Sequence, residues 1–396
     1  MDTGAGHPSK LGVWILGLVT ITAYGSWFYG FGVLIGPIQE DLGWSTSTLG
    51  ATFAAAQVIA GLGAFVAGRL LDRFGAIGPF AVQALLGGGP LLAATWADSV
   101  MVFAVLYAVG GGVMGATGFY HVTTVAAGRL HPEAPAKAIA KLTLIGAFCS
   151  PILLPLTAFV VETQGWRIGA RMLAVMALVG AVTGSTLKRQ AAAEAQTRSD
   201  KPVAAMLAAL RSPAVRRMFF AYVVGGVAFA TIAVYQVPIM THAGLSLGLA
   251  GTLAGFRGLC QVLGRVGLTG ALSRWGSAPL LLAAYAVSAG GVLLLLIGEV
   301  AAALVFAVLA GAGFGAVSPL QAIHSRDRFA AGDLGLLMGM QGAVVGLAGG
   351  LGPLLGGALR DATGSWTWVV IAAAVSLVLA ATQMRTPKPV PNGTGV

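Results

Sequence analysis

The feature that most constrains this chain is a series of long apolar segments that carry almost no charge. Division of the sequence at charged or turn-forming clusters gives twelve of them: residues 11–36, 47–68, 77–96, 99–124, 138–160, 168–187, 215–240, 247–272, 279–298, 300–322, 334–359 and 366–384. A helix needs roughly 20 apolar residues to cross a bilayer. Only 9% of the residues are charged, against about 25% in a soluble domain. We therefore predict an all-α membrane protein with twelve transmembrane helices and exclude a water-soluble enzyme.

The remaining composition agrees with helices rather than strands in the membrane. The apolar segments are continuous, whereas a membrane β-barrel needs alternating stretches of about ten residues. The 59 glycines predict close packing between helices. The two cysteines both fall in apolar segments, so we expect neither a disulfide nor a metal site. The first segment is too long for a signal-peptide core, and we interpret it as a retained helix.

The basic residues predict the orientation in the membrane. With the amino terminus in the cytoplasm, eighteen of the 23 Lys and Arg residues fall in cytoplasmic segments, and three lie near the outer face: Arg167, Arg171 and Arg360. Cytoplasmic loops are enriched in Lys and Arg. We therefore expect a multi-pass protein of the cytoplasmic (inner) membrane with both termini in the cytoplasm. The net charge of +10 follows from this topology and requires no nucleic-acid partner.

The longest polar stretch divides the chain into two parts of similar size. It begins at Lys188 with the sequence KRQAAAEAQTRSDKP. We therefore predict a six-helix bundle over residues 1–187, a cytoplasmic linker over 188–212 and a second six-helix bundle over 213–396.

A short internal repeat supports this division. Residues 68–75 read GRLLDRFG and residues 269–276 read TGALSRWG, and the two align without a gap at an offset of 201 residues, which pairs Arg73 with Arg274. Each copy follows the second apolar segment of its half. Duplicated halves are typical of secondary transporters.

The first copy resembles the G-x-L-x-D-R-x-G signature of the major facilitator superfamily, and the twelve-span layout extends this resemblance over the whole chain. The resemblance implies two pseudo-symmetric six-helix bundles, with a gate on the inner side formed by these residues: Gly68, Asp72, Arg73, Gly75 and Arg274. The sequence departs from the family pattern at Ala76, which replaces a basic residue, and at Ser273, which replaces the acid of the second copy.

A narrower resemblance is to the monocarboxylate-transporter and oxalate–formate-antiporter-like branch. It rests on YGFGVLIGP at 29–37 with EDLGWS at 40–45, on GWR at 165–167, and on GR at 264–265. In that branch an arginine in helix 8 binds the carboxylate, and Arg265 is the matching position. The residues that animal carriers use for proton coupling are absent, with Val33 and Gln261 at the matching positions. Their coupling mechanism is therefore not transferable.

Two arginines in the eighth segment are the main candidate binding residues. All thirteen Asp and Glu residues fall in loops or termini, so Arg257 and Arg265 have no acidic partner in the membrane core. An arginine at a helix centre costs about 2.5–3.5 kcal/mol. In a straight helix the two would lie about 12 Å apart along the axis and about 80° apart around it. We interpret the compensating anion as the substrate; the alternative is that carbonyl groups or water satisfy an arginine at a helix break.

Further candidates line the expected path. In helix 4, Tyr120 can donate to a carboxylate and His121 can titrate near neutral pH. In helix 1, Tyr24, Phe28 and Phe31 share one helical face, and an aromatic stripe of this kind is more often packing than a binding wall. The other candidates are Tyr235 and Gln236 in helix 7, Ser318 and Gln321 in helix 10, and Gln341 in helix 11.

The sequence thus predicts a secondary active transporter that moves a small organic anion, a monocarboxylate, by symport or antiport with a proton or counter-anion. The alternatives are a drug or metabolite efflux pump of the same superfamily and a non-transporting membrane sensor. We expect no catalytic residues and no cofactor, because no phosphate-binding loop or other enzyme signature is present.

Overall fold

The computed structural model describes residues 10–187, 202–329 and 334–384, and the regular secondary structure in these ranges is entirely helical. Eleven of the described helices are long and apolar enough to cross a membrane: α1 (Leu11–Leu42), α2 (Thr46–Phe74), α3 (Ile77–Ala94), α4 (Val100–Leu130), α5 (Pro135–Gln164), α6 (Trp166–Ser185), α7 (Pro213–His242), α9 (Ser277–Leu296), α10 (Val300–Arg326), α11 (Leu337–Thr363) and α12 (Trp366–Gln383). The predicted all-α membrane fold is confirmed. Most of the predicted linker lies outside the described residues, and its last part contains a short helix, Pro202–Ala209.

The eighth apolar segment, α8, is broken, so our prediction of one continuous helix over 247–272 is wrong. It consists of a helix Leu247–Cys260, a 3-10 turn Leu263–Arg265 and a second helix Leu268–Trp275. Gly267 begins the second helix with φ of 71°, a conformation that only glycine adopts readily. The first helix ends at Cys260, before Arg265. The separation of about 12 Å along the axis and about 80° around it, which we expected for Arg257 and Arg265 in a straight helix, therefore does not apply.

Close packing against α10 accompanies this break. A Cβ atom on Gly315 would overlap the backbone of Gln261, and one on Gly264 would overlap the carbonyl of Ala312. Glycines thus let the two backbones approach each other without side chains between them, as is common between membrane helices.

Substitution of Gly315 by alanine should therefore destabilise the protein. Overpacking of a close contact typically costs about 1–3 kcal/mol, and we expect a lower Tm in detergent for Gly315→Ala. Gly290→Ala on α9 is the control, because a Cβ there meets nothing within 4 Å. An unchanged Tm for Gly315→Ala would show that the two helices can separate freely.

The two halves of the chain are built alike at α2 and α8. The side chain of Ser45 caps α2 and that of Ser246, 201 residues later, caps α8; each accepts a hydrogen bond from a backbone N–H three residues on. Gly75 and Gly276, at the same offset, end these elements with φ of 69° and 74°. The repeat therefore extends from the sequence into the capping geometry.

The alternation of helices defines two faces and two halves. We call α1–α6 the first half and α7–α12 the second half. The linker face is the side on which α6 ends and α7 begins, and the far face is the side on which α1 ends and α2 begins.

Candidate functional site

A cavity of about 810 Å³ lies between the two halves. Its lining comes from the linker-side parts of α4, α5 and α10, from the middle of α1, from the region of the α8 break and from residues of α7, α9 and α11. The volume is in the range of small-molecule sites, about 300–1,000 Å³. The cavity is therefore the candidate binding site of the molecule.

The first-half side of the cavity depends on a π turn in α1. This turn spans Tyr24–Tyr29 and adds a residue to the helical register. As a result Tyr24, Phe28 and Tyr29 all line the cavity, whereas Phe31 is fully buried. Our expectation that Phe31 shares a face with Tyr24 and Phe28 is wrong, because it assumes an uninterrupted α-helix.

Helix α4 is also interrupted where it meets the cavity. Phe119 has an extended backbone, with ψ of 169°, between the two helical parts of α4. His121 donates from Nε2 to the carbonyl of Ala116 over 2.8 Å and bridges the break. The break turns the ring of Phe119 onto that of Tyr24, with ring centroids 3.7 Å apart and parallel planes.

Together these features form an aromatic wall, which we define as Tyr24, Phe28, Tyr29, Phe119 and Tyr120. The Tyr24 ring lies 6.1 Å from Phe28 and 5.4 Å from Tyr120, measured between centroids. Such a surface offers apolar faces for stacking, and its tyrosine hydroxyls are the polar groups.

The second half supplies a polar wall, which consists of Gln261, Arg265, Tyr285, Ser318 and Gln321. Arg265 is exposed in the cavity, and its Nε donates to the carbonyl of Gly315 over 3.3 Å. Gln321 donates from Nε2 to the Tyr285 hydroxyl over 2.8 Å. The bond to Gly315 engages Nε and leaves the two terminal nitrogens of the guanidinium available to a ligand.

The cavity carries one positive charge. Within the described ranges Arg265 is the one charged side chain of the lining, and no Asp or Glu contributes to it. The same ranges contain no cluster of three or more His, Cys, Asp or Glu residues that could hold a metal ion. The electrostatics of the cavity therefore favour an anion over a cation.

Arg257 lies behind the cavity wall. Its side chain is fully buried, and its Nε donates to Oε1 of Gln236 over 2.7 Å. Its guanidinium carbon lies 5.8 Å from the centre of the Phe314 ring. Neither terminal nitrogen has a hydrogen-bond partner among the described residues.

Of the other predicted binding residues in this group, one lines the cavity and three lie outside its lining. Tyr120 lines the cavity, while His121 is not part of the lining. Tyr235 is buried at the far face, where its hydroxyl donates to the Pro353 carbonyl over 2.5 Å. Gln341 accepts a hydrogen bond from Ser325, 2.7 Å away, and is not part of the lining.

Sequence reasoning missed two of the lining tyrosines. Tyr29 lies off the helical face of Tyr24, and only the π turn brings it to the cavity. Tyr285 lies on α9, for which the sequence offered no signal, since an isolated tyrosine in an apolar segment is equally typical of packing.

The residues predicted to form the inner gate lie at the linker face. Asp72 pairs with Arg129 of α4 at 2.5 Å, within the first half. Arg73 lies over the ring of Phe74, and its repeat partner Arg274 lies over that of Trp275. Gly75 ends α2, and a Cβ on Gly68 would meet nothing within 4 Å. The repeat thus includes these two cation–π contacts.

At the far face the two halves are in contact. A Cβ on Gly32 of α1 would overlap the carbonyl of Val234 of α7, and a Cβ on Gly50 of α2 would overlap that of Pro353 of α11. These backbone contacts close the cavity at the far face. The molecule is therefore accessible from the linker face in this state.

A carboxylate strengthens the far-face closure. Asp361 at the end of α11 accepts hydrogen bonds from the backbone N–H groups of Thr46 and Ser47, at 3.1 and 2.7 Å. These groups form the amino terminus of α2, in the other half, where a negative charge is favourable.

Asp361→Asn should weaken this closure, because the amide has no charge for the helix terminus. We expect the equilibrium to shift toward far-face opening by about threefold, from a loss of 0.3–1 kcal/mol. The measurement is alkylation of a Ser318→Cys reporter in the cavity, which should slow. Asp98→Asn is the control, since Asp98 pairs with Arg167 inside the first half. Equal alkylation rates in Asp361→Asn and the parent would contradict this role.

Comparison with known proteins then identifies the family. The model of the Major Facilitator Superfamily matches residues 15–301 and 218–395, which together cover nearly the whole chain. The chain belongs to the major facilitator superfamily. It is accordingly a transporter and not an enzyme, and a multi-pass membrane protein. No curated protein matches this transporter as a relative.

Solved structures of transporters share its fold. The nucleoside transporter NupG is 14% identical, with a TM-score of 0.82 over 95% of this chain and 98% of NupG. The inward open xylose transporter XylE from E. coli is 16% identical, with a TM-score of 0.71 over 96% and 97%. An inward-facing bacterial homologue of the human lysosomal transporter Spinster is 15% identical, with a TM-score of 0.72 over 96% and 97%. These likenesses concern the fold alone. The monocarboxylate-transporter-like branch stays a prediction.

Proposed function

We propose that this transporter carries a small organic anion, a monocarboxylate, across the cytoplasmic membrane by alternating access. The observation that carries the proposal is the charge of the cavity: Arg265 stands alone as a charged side chain in the described lining, opposite five aromatic rings. A guanidinium binds a carboxylate through two parallel hydrogen bonds. The single arginine is suited to a single carboxylate, and the aromatic wall is suited to packing against the apolar or aromatic remainder of the substrate.

The polar wall provides the geometry that this binding needs. The bond from Arg265 Nε to the Gly315 carbonyl restrains the orientation of the guanidinium. The terminal nitrogens then remain for the two carboxylate oxygens, and a planar fork loses less side-chain entropy per bond than a lysine would. Ser318 and Gln321 are further polar groups of the same wall.

The proposed cycle moves the two halves against each other. Residues 1–187 and 213–396 form the rocking units, and the linker face is the cytoplasmic one, in keeping with its Lys and Arg content. The glycines and the carboxylate at the far face seal the site in the state described above. Asp72, Arg73 and Arg274 lie where the opposite gate would close. A proton or counter-anion accompanies the substrate.

A ligand panel against thermal unfolding tests this function. The panel contains benzoate, short aliphatic monocarboxylates, succinate, uridine, xylose and tetraphenylphosphonium. A ligand at 100 times its Kd stabilises by about 2.7 kcal/mol. We expect monocarboxylates to raise the Tm and the other compounds to leave it unchanged. Stabilisation by the lipophilic cation or by neutral compounds alone would contradict the proposal and favour efflux of lipophilic compounds, for which the aromatic wall is suited.

A further inference from the structure

Arg257 is the one arginine or lysine among the described residues with buried nitrogens that lack a hydrogen-bond partner. It is fully buried, yet both terminal nitrogens of its guanidinium lack a partner within the described residues. Gln236 occupies only Nε, and the Phe314 ring offers a weak contact. A buried charge is costly unless it is paired and hydrogen-bonded. A purely structural arginine would be expected to use these donors.

Arg257 is situated between the cavity and the far-face closure. On the cavity side its neighbours Gly258 and Phe314 belong to the lining. On the far side its partner Gln236 follows Val234 by two residues, and the Val234 carbonyl is the group that Gly32 contacts. Opening of the α1–α7 contact would therefore begin next to the Arg257–Gln236 pair.

A second contact between the halves covers the same region. A Cβ on Gly258 would overlap the Ser150 hydroxyl of α5, and one on Gly255 would approach the Ser150 carbonyl. Arg257 thus belongs to a stretch of α8 that is pressed against the first half. Separation of the halves at the far face would loosen this contact as well as the α1–α7 contact next to Gln236.

In the linker-face-open state there is no room for a ligand at Arg257. The side chain has no exposed surface at all, so a water-sized group does not reach it. The two terminal nitrogens therefore have no described partner and no access from the cavity in this state.

We propose that Arg257, with Gln236 beside it, is a second anion-binding position that forms when the far face opens. This inference rests on the proposed function and deepens it, because the position takes the carboxylate of the same substrate. Arg265 binds the anion when the linker face is open, and Arg257 binds it when the far face is open. The break of α8 lies between the two positions and separates them into different helical segments.

Variants that hold the far face open make this testable. Gly32→Trp cannot keep the α1–α7 contact, and Gly50→Trp provides the same effect at the α2–α11 contact should the first variant fail to fold. Gly36→Trp is the matched control one turn along α1, where a Cβ meets nothing within 4 Å. A Ser318→Cys reporter, with Cys149 and Cys260 replaced by alanine, monitors closure of the cavity through loss of alkylation.

Benzoate binding to the purified full-length protein is then measured by calorimetry, with and without Arg257→Gln or Arg265→Gln. In the wild type we expect Arg265→Gln to weaken benzoate binding at least about tenfold and Arg257→Gln to have little effect. In Gly32→Trp we expect the reverse, with a loss of at least about tenfold from Arg257→Gln, equivalent to 1.4 kcal/mol.

Two results would overturn the second position while leaving the proposed function intact. In the first, benzoate binding to the wild type depends on Arg265, but Arg257→Gln leaves the benzoate affinity unchanged in both tryptophan variants. The other is full alkylation of Ser318→Cys in both tryptophan variants, because the far-face contacts would then not control access. Absence of benzoate binding in the wild type and in both tryptophan variants would instead refute the proposed function, and this inference with it.

Discussion

Arg265→Gln should weaken the binding of monocarboxylates by about 10- to 150-fold, which corresponds to 1.5–3 kcal/mol for hydrogen bonds to a charged group. The variant removes the one charge on the described cavity lining and the paired donors that a carboxylate requires. The benzoate Kd of Arg265→Lys should lie between those of the wild type and Arg265→Gln, because lysine keeps the charge but lacks the planar fork. Calorimetric titration with benzoate measures the effect.

The control for this experiment is Arg171→Gln. Arg171 lies at the far face, over the ring of Trp96 and bonded to Thr95, away from the cavity. The bond from Arg265 to Gly315 also joins α8 to α10, so Arg265→Gln can lower the Tm without ligand. A purely structural role would lower the Tm and leave the benzoate Kd unchanged, and this pattern would contradict the assignment.

Gly32→Trp should abolish transport altogether. Alternating access requires that each face closes in turn, and a tryptophan at this position cannot fit against the carbonyl of Val234. We expect flux in proteoliposomes to fall to the level of protein-free liposomes while the protein still binds substrate. Gly36→Trp, which meets open space, should retain flux.

The binding measurement separates arrest from misfolding. A Gly32→Trp protein that neither binds nor transports is uninformative about the cycle, and Gly50→Trp then takes its place. Wild-type flux in a folded, substrate-binding Gly32→Trp protein would show that closure at this contact is not part of the cycle.

The overall fold was predictable because it follows from features that act over whole segments. Twenty-residue apolar runs determine spans, and the copies at 68–75 and 269–276 identify the duplicated halves. The structure repeats the same offset of 201 in the helix ends, with Gly75 and Gly276 both at positive φ. These features do not depend on how any one side chain packs.

The cavity was only partly predictable, because it is built from departures from regular helix. Arg265, Tyr24, Phe28 and Tyr120 were expected at the site, and all four line the cavity. The π turn at 24–29 has no sequence signature of its own. Its extra residue brings Tyr29 to the wall and takes Phe31 away.

The α8 break was equally hidden. The segment is apolar and of spanning length, and its glycines are as compatible with packing as with interruption. Only the contacts of Gly264 and Gly315 between α8 and α10 show why the backbone turns there. The expected separation of Arg257 and Arg265 was wrong because it assumed a continuous helix. Their identification as charges without an acidic partner did not depend on that assumption.

Counterflow in proteoliposomes is the most direct test of the central claim that this cavity carries a monocarboxylate. Liposomes that contain the purified protein are loaded with unlabelled benzoate and diluted into a trace of labelled benzoate. The account predicts transient accumulation of label with the wild type and with Arg171→Gln, and none with Arg265→Gln. Counterflow of uridine, xylose or tetraphenylphosphonium in the absence of any benzoate counterflow would contradict it.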